Sequence, residues 1–186
     1  MGAADPASSF PVAFEDETRD GPAVGRTADY SDQRCSVAAA LEIVGDPWTL
    51  LIVRDAFLGI RRFEQWHEKL GVARNVLAAR LKSLSEQGVF EKRAYSERPL
   101  RHEYLLTAKG KDLFPVICSM LDWGDRHVYG EGREPQIYHH LDCEQRFQPV
   151  TSCRCCGEPV QAGGLRRHTA EGALTVGEVL RERVDA

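Results

Sequence analysis

Residues 62–88 read RFEQWHEKLGVARNVLAARLKSLSEQG, and two helix-length segments meet there at Gly71. In the first, Arg62 to Leu70, the large apolar residues Phe63, Trp66 and Leu70 recur at helical spacing. Glycine at 71 breaks that period, and a second helix is predicted from about Ala73 to Gln87, with Gly88 as its C-terminal stop. Its buried stripe is Leu77, Leu81 and Leu84, which leaves Arg74, Asn75, Ala78, Ala79 and Lys82 on the opposite face. Alanine at the centre of an exposed face, ringed by Arg, Asn and Lys, lets the helix approach another surface closely.

Upstream, Val37, Ala40, Leu41 and Val44 form a short helical stripe that Gly45 ends. Asp46-Pro47 reads as an N-cap followed by proline in the first turn, opening an apolar helix that Gly59 closes. Downstream, Val89–Tyr95 and His102–Leu106 have strand character, with residues 96–101 (Ser-Glu-Arg-Pro-Leu-Arg) as a six-residue connection. The expectation is a β-hairpin with a basic tip. Thr107 should cap one long helix containing Leu113, Val116, Ile117, Met120, Leu121 and Trp123, kinked at Pro115. Thr175-Val-Gly-Glu178 is a capping-box pattern before a final short helix. The fold class is therefore mainly α with one small hairpin: a winged helix-turn-helix domain and a Cys-rich C-terminal extension. The divisions are a disordered acidic tail over 1–34, the winged-helix domain over 35–130, and the extension over 131–186.

The 186 residues carry a net charge of −4, which is misleading as a guide to partners. Residues 61–111 hold 12 basic and 6 acidic side chains, while 1–34 hold 3 and 7, and 112–186 hold 8 and 12. Half of all Lys and Arg lie in that central stretch, where an anion would bind. No apolar run approaches the ~20 residues of a membrane span, and no basic-then-apolar leader is present at the N-terminus. A cytoplasmic protein without membrane contact is expected.

Three helices and a hairpin are the parts of a DNA-binding winged helix, in which the second helix of the turn enters the major groove. Arg74, Asn75 and Lys82 are able to donate to base edges or phosphates, and Ala78 permits the approach. Arg98 and Arg101 sit on the hairpin, and Arg61 and Arg62 precede the third helix, where cations meet phosphates. Arg80 flanks the leucine stripe and is divided between a phosphate contact and packing its stem over the core. Each part alone has a bland reading, because a basic helix face is usually only solvated. The combination points to double-stranded DNA.

The stretch from Cys35 to His127 resembles the HxlR-type winged-helix transcriptional regulators, relatives of the MarR group. The pieces that carry the resemblance are Cys35, the Gly-x-x-Trp-x-x-x-Ile run ending at Ile52, Arg62-Phe63, Leu77-x-x-Arg80-Leu81 with Leu84, and Gly88. Glu103-Tyr104-x-Leu106-Thr107, Gly110, Pro115 and Trp123-Gly124 complete it. The resemblance implies a homodimeric bacterial regulator whose first helix and post-wing helix (108–126) form the dimer interface. A two-fold dimer implies a pseudo-palindromic operator, and occupancy of a promoter by such a dimer suffices for repression. Some family members sense oxidants or electrophiles through a cysteine at the position of Cys35; the alternative is a small buried hydrophobe. A small-molecule or electrophile effector is expected, while Cys118, on an apolar helix, reads as core.

Four of the six cysteines cluster in the extension, and the spacing His140-x2-Cys143-x9-Cys153-x2-Cys156 matches a structural zinc ribbon. His139 is an alternative to His140, and Cys155 to a neighbour; a β-rich extension with incidental cysteines is the competing reading. An enzyme is not expected. Cys153-x-x-Cys156 resembles a thiol-redox motif but lacks a thioredoxin-like βαβ context, and no phosphate loop, Ser/His/Asp order or carboxylate pair appears. A winged helix used only for protein–protein contact is the other class, and DNA binding separates the two.

Overall fold

The computed structural model describes residues 29–166, 168 and 170–184, so most of the expected tail, residues 1–28, lies outside the described residues. Helix α1 (Ser36–Val44) closes with the Gly45 N–H donating to the Leu41 carbonyl. Asp46 then accepts the Trp48 N–H at 3.0 Å and opens α2 (Pro47–Phe57), as an N-cap followed by proline should. Helix α3 (Phe63–Leu70) ends at Gly71, whose φ of +63° is a left-handed conformation that glycine reaches without a Cβ clash. Helix α4 spans Arg74–Glu86.

These helices share one core. Ile52 and Val53 of α2, Trp66 of α3, and Leu77, Leu81 and Leu84 of α4 are all buried, as are Val89 and Phe90 beyond them. Truncating any of these leucines to alanine should cost about 2–5 kcal/mol. The Trp66 indole donates to the Ile52 carbonyl at 3.1 Å, which satisfies its one polar atom, while Phe90 and Tyr104 meet its ring edge-on. One charged group is buried with them. Asp55 of α2 is fully enclosed and is bound by Arg54 beside it and by Lys69 of α3 at 2.9 Å.

The hairpin is longer and its turn tighter than expected. Strands β1 (Phe90–Glu97) and β2 (Leu100–Leu106) pair antiparallel down to Glu97↔Leu100, so only Arg98-Pro99 connects them, through a cis peptide. Ladder hydrogen bonds recruit Ser96, Glu97 and Leu100, whose side chains carry little strand signal. Pairing slips by one residue between Ala94 and Ser96, leaving Tyr95 as a bulge. The residues before α3 add to the sheet: Arg62 bridges Glu103, and the Tyr104 N–H donates to the Arg61 carbonyl at 2.8 Å. The wing is thereby anchored to the helix-turn-helix at its root.

Beyond the wing, the single kinked helix is replaced by two. Thr107 caps a one-turn α5 (Ala108–Lys111), accepting the Gly110 N–H, and the chain restarts as α6 (Phe114–Gly124). Pro115 lies in the first turn of α6, where its missing N–H has no intrahelical acceptor, so it starts a helix instead of kinking one. A π-helical turn over Asp125–Tyr129 ends this segment, with the Gly130 N–H returning to the Asp125 carbonyl. Gly110 is a second glycine with a plain steric reason, because a Cβ there would stand 2.3 Å from the Val89 carbonyl oxygen.

Two tight turns follow within residues 138–160, and the last helix, α7 (Val176–Val184), comes back to α1. The Thr175/Glu178 capping box forms as expected. Val176 and Gly177 N–H groups donate to the carbonyls of Gln33 and Ser31, so the last helix is tied to the end of the segment expected to be a disordered tail, just before α1. The α1 stripe is also divided. Ala38 and Val44 are buried, whereas Val37 and Leu41 are open to solvent.

Candidate nucleic-acid interface

Helix α4 is held by its leucines, and this fixes which side chains it presents outward. Arg74, Asn75, Ala78, Ala79 and Lys82 are all exposed, as the stripe requires. Lys82 lies 3.6 Å from Glu86, a solvated pair on one helix face. Asn75 and Ala78 lie one turn apart, leaving a shallow polar strip along the first two turns.

Arg74 is not a loose cation. Both of its terminal nitrogens bond the Glu64 carboxylate across the turn, and its guanidinium lies 5.0 Å from the centre of the Phe63 ring. The pairing holds the Glu64 carboxyl below its ordinary range and raises Arg74, so the ion pair is intact at neutral pH. The group expected to reach bases is therefore held by two residues of α3. Neither Phe63 nor Glu64 was singled out as part of this face in the sequence, because the pairing spans ten residues across a turn.

Arg80 resolves differently from the other cations. It bonds Asp46 Oδ2 at 3.0 Å, so one carboxylate caps α2 with one oxygen and grips α4 with the other. Its Nε is buried. This pair engages Arg80 in the fold while its side chain stays 36% exposed, in keeping with the packing half of its expected role.

The other cations frame the helix. Arg61 and Arg62 are exposed just before α3, and the Arg62 guanidinium stacks 4.4 Å from the centre of the Tyr95 ring, linking helix start to wing. Arg98 and Arg101 are exposed at the wing tip. Arg93, part-way down β1, is engaged by Glu103 opposite at 2.7 Å.

Elsewhere, Cys35 is exposed at the N-cap of α1 and borders a cavity of about 540 Å³ between α1 and α7, with Arg34 and Lys109 also on its lining. Cys118 is buried, and burial pushes its thiol up. In the extension, Cys143 Sγ lies 3.5 Å from His140 Nδ1, and backbone N–H groups of Cys156 and Cys155 hold the Cys153 thiol low. His140 and Cys143 are not gathered with Cys153 and Cys156: among the described residues no three His, Cys, Asp or Glu side chains converge as metal ligands do. No single described helix is long and apolar enough to cross a membrane.

A turn-joined helix pair with an exposed polar second helix, flanked by a basic hairpin, defines a winged helix-turn-helix domain. The chain belongs to the HxlR-like helix-turn-helix family, whose model matches residues 43–131. It is 45% identical over 138 residues to an uncharacterized HTH-type transcriptional regulator of Mycobacterium tuberculosis, covering 74% of this chain and 87% of that one. Among solved structures it is similar to a candidate transcription factor, PA1607 (TM-score 0.65, 35% identity, 73% of this chain and 95% of that one). A second, PA1374 from Pseudomonas aeruginosa, matches with a TM-score of 0.55 and 33% identity over 80% of this chain and 99% of its own.

Proposed function

We propose that this protein is a cytoplasmic, sequence-specific DNA-binding transcriptional regulator acting as a dimeric repressor on a pseudo-palindromic operator. The observation that carries the reading is the α4 face. A buried leucine stripe fixes Arg74, Asn75, Ala78 and Lys82 outward, with Arg98 and Arg101 on the wing beside it. Asn75 and Arg74 supply base-edge donors, and the wing and α3-start arginines supply phosphate contacts. The test begins with mapping of bound genomic DNA, followed by binding to the recovered operator. Asn75→Ala with Lys82→Ala should lose about 1–3 kcal/mol of discrimination per base contact removed. Arg98→Ala should weaken all sequences alike and flatten the salt dependence by about one unit of log–log slope. Undiminished operator selectivity in the Asn75/Lys82 variant would overturn the assigned face.

The dimer reading rests on apolar surface. Val116, Met120 and Trp123 recur on one face of α6 and are 43%, 53% and 58% exposed, and Val37 and Leu41 on α1 are likewise open. So much exposed apolar area on two helices favours a second copy of the chain. Regulation is assigned to Cys35 and the cavity it borders, where an electrophile or oxidant reaches the thiol at the α1–α7 junction. Cys35→Ser should abolish oxidant-dependent release of DNA, measured by anisotropy with and without peroxide; an unchanged response excludes the thiol.

A further inference from the structure

The extension contains a structural repeat that its sequence hides. Residues 138–147 (YHHLDCEQRF) and 151–160 (TSCRCCGEPV) share no more than one cysteine when aligned at an offset of 13. Their backbone bonds nevertheless coincide one for one. The His140 N–H donates to the Gln145 carbonyl, Glu144 to His140, and Phe147 to Tyr138; thirteen residues on, Cys153 donates to Glu158, Gly157 to Cys153, and Val160 to Thr151. The bridges His139↔Arg146 and Ser152↔Pro159 keep the same offset. The positive φ repeats too, at Glu144 (58°) and Gly157 (78°). Glu144 is the one non-glycine with positive φ among the described residues, so the turn demands that conformation even from an L side chain.

These are two knuckles, and the offset pairs His140 with Cys153 and Cys143 with Cys156. The turn sets the first and fourth residues of each pair side by side. In the first knuckle His140 Nδ1 and Cys143 Sγ are 3.5 Å apart, the separation of two ligands on one tetrahedral zinc, whose bonds are about 2.1 Å to nitrogen and 2.3 Å to sulfur. The imidazole's other nitrogen, Nε2, stands 3.7 Å from Asp142 Oδ2, a solvated ion-pair distance and not a hydrogen bond. In the second knuckle Cys153 and Cys156 hold the equivalent positions, with the Gly157 N–H returning to the Cys153 carbonyl at 2.7 Å. The three residues Gln148-Pro149-Val150 join the knuckles.

We propose that the two knuckles are half-sites of one structural zinc ion, bound by His140 Nδ1, Cys143, Cys153 and Cys156, which closes the second knuckle onto the first. Each knuckle offers two ligands, and one tetrahedral zinc completes its shell by drawing the two pairs together about the three-residue joint. Register excludes His139 and Cys155 as ligands, since both occupy the bridge or mid-turn positions of their knuckles. Closure also fixes the extension on the DNA-binding domain. The first knuckle already lines a cavity of about 350 Å³ against α2 and α6, with Phe57, Phe114, Tyr138 and Leu141 on its walls.

The test uses the full chain under a phosphine reductant, loaded with Zn(II) alone, desalted and assayed for metal, with Co(II) as a spectroscopic substitute. The expected result is one zinc per chain, with Co(II) giving tetrahedral d–d bands and charge-transfer intensity of three thiolates. Cys143→Ser and Cys156→Ser should each lower affinity by more than the ~100-fold that outer-shell changes reach. Cys155→Ser and His139→Asn should retain metal, and His140→Cys should retain it as a four-thiolate site, which separates ligand loss from misfolding. Metal-free wild type after loading, or undiminished affinity in Cys143→Ser, overturns the proposal. So does loss in Cys155→Ser equal to that in Cys156→Ser.

Discussion

Several side chains turn out to do a different job from the one their type suggests, and Arg74 is the clearest. Its guanidinium is gripped by Glu64 and stacked against Phe63, so the cost of moving it to a base includes breaking a bidentate pair. The pairing depresses the Glu64 pKa; it therefore persists at neutral pH and is released only as pH falls through that lowered value. Glu64→Gln should free Arg74, and the expected outcome is tighter non-specific DNA binding with a log–log salt slope steeper by about one unit. Isotherms at several salt concentrations measure it. An unchanged slope would mean that Arg74 never meets a phosphate. Arg80 was legible only as ambiguous, because the sequence cannot reveal that Asp46, thirty-four residues away, is its partner.

At the scale of elements, the helices were legible and their joints only partly so. Asp46-Pro47, the Leu77/Leu81/Leu84 stripe and Thr175/Glu178 act locally, within one turn of backbone, and each forms as read. The wing and the post-wing helix differ because their boundaries are not local. Ladder pairing extends the strands to Glu97 and Leu100, and Pro115 opens α6 where a kink was expected. Asp46 gives the prediction proper to this scale, since its carboxylate caps α2 and also binds Arg80 of α4. Asp46→Ala should cost about 2–3 kcal/mol in urea denaturation, above the ~1 kcal/mol of an ordinary cap, because it strands a partly buried guanidinium. Asp46→Asn should keep the cap and lose only part of that stability.

At the scale of the whole molecule, α6 leaves an apolar face open to solvent. Trp123 and Met120 lie on one exposed face, and the proposed dimer, if built on it, would set the spacing of the two α4 helices. Trp123→Glu should shift the chain to monomer in sedimentation analysis and weaken operator binding by at least about 100-fold, while leaving the helical circular dichroism intact. A variant that remains dimeric would move the interface elsewhere. The sequence by itself determined the four helices before the wing, the Asp46 and Thr107 caps, the leucine stripe and the basic stretch over 61–111, because those depend on neighbours within a turn or on composition. Only the tertiary structure decided that Arg80 and Arg74 are held by Asp46 and Glu64, that α7 returns to α1, and that two dissimilar decapeptides form the same knuckle. Those arrangements are made by contacts between residues far apart in the chain, and by backbone bonds that side-chain identity does not encode.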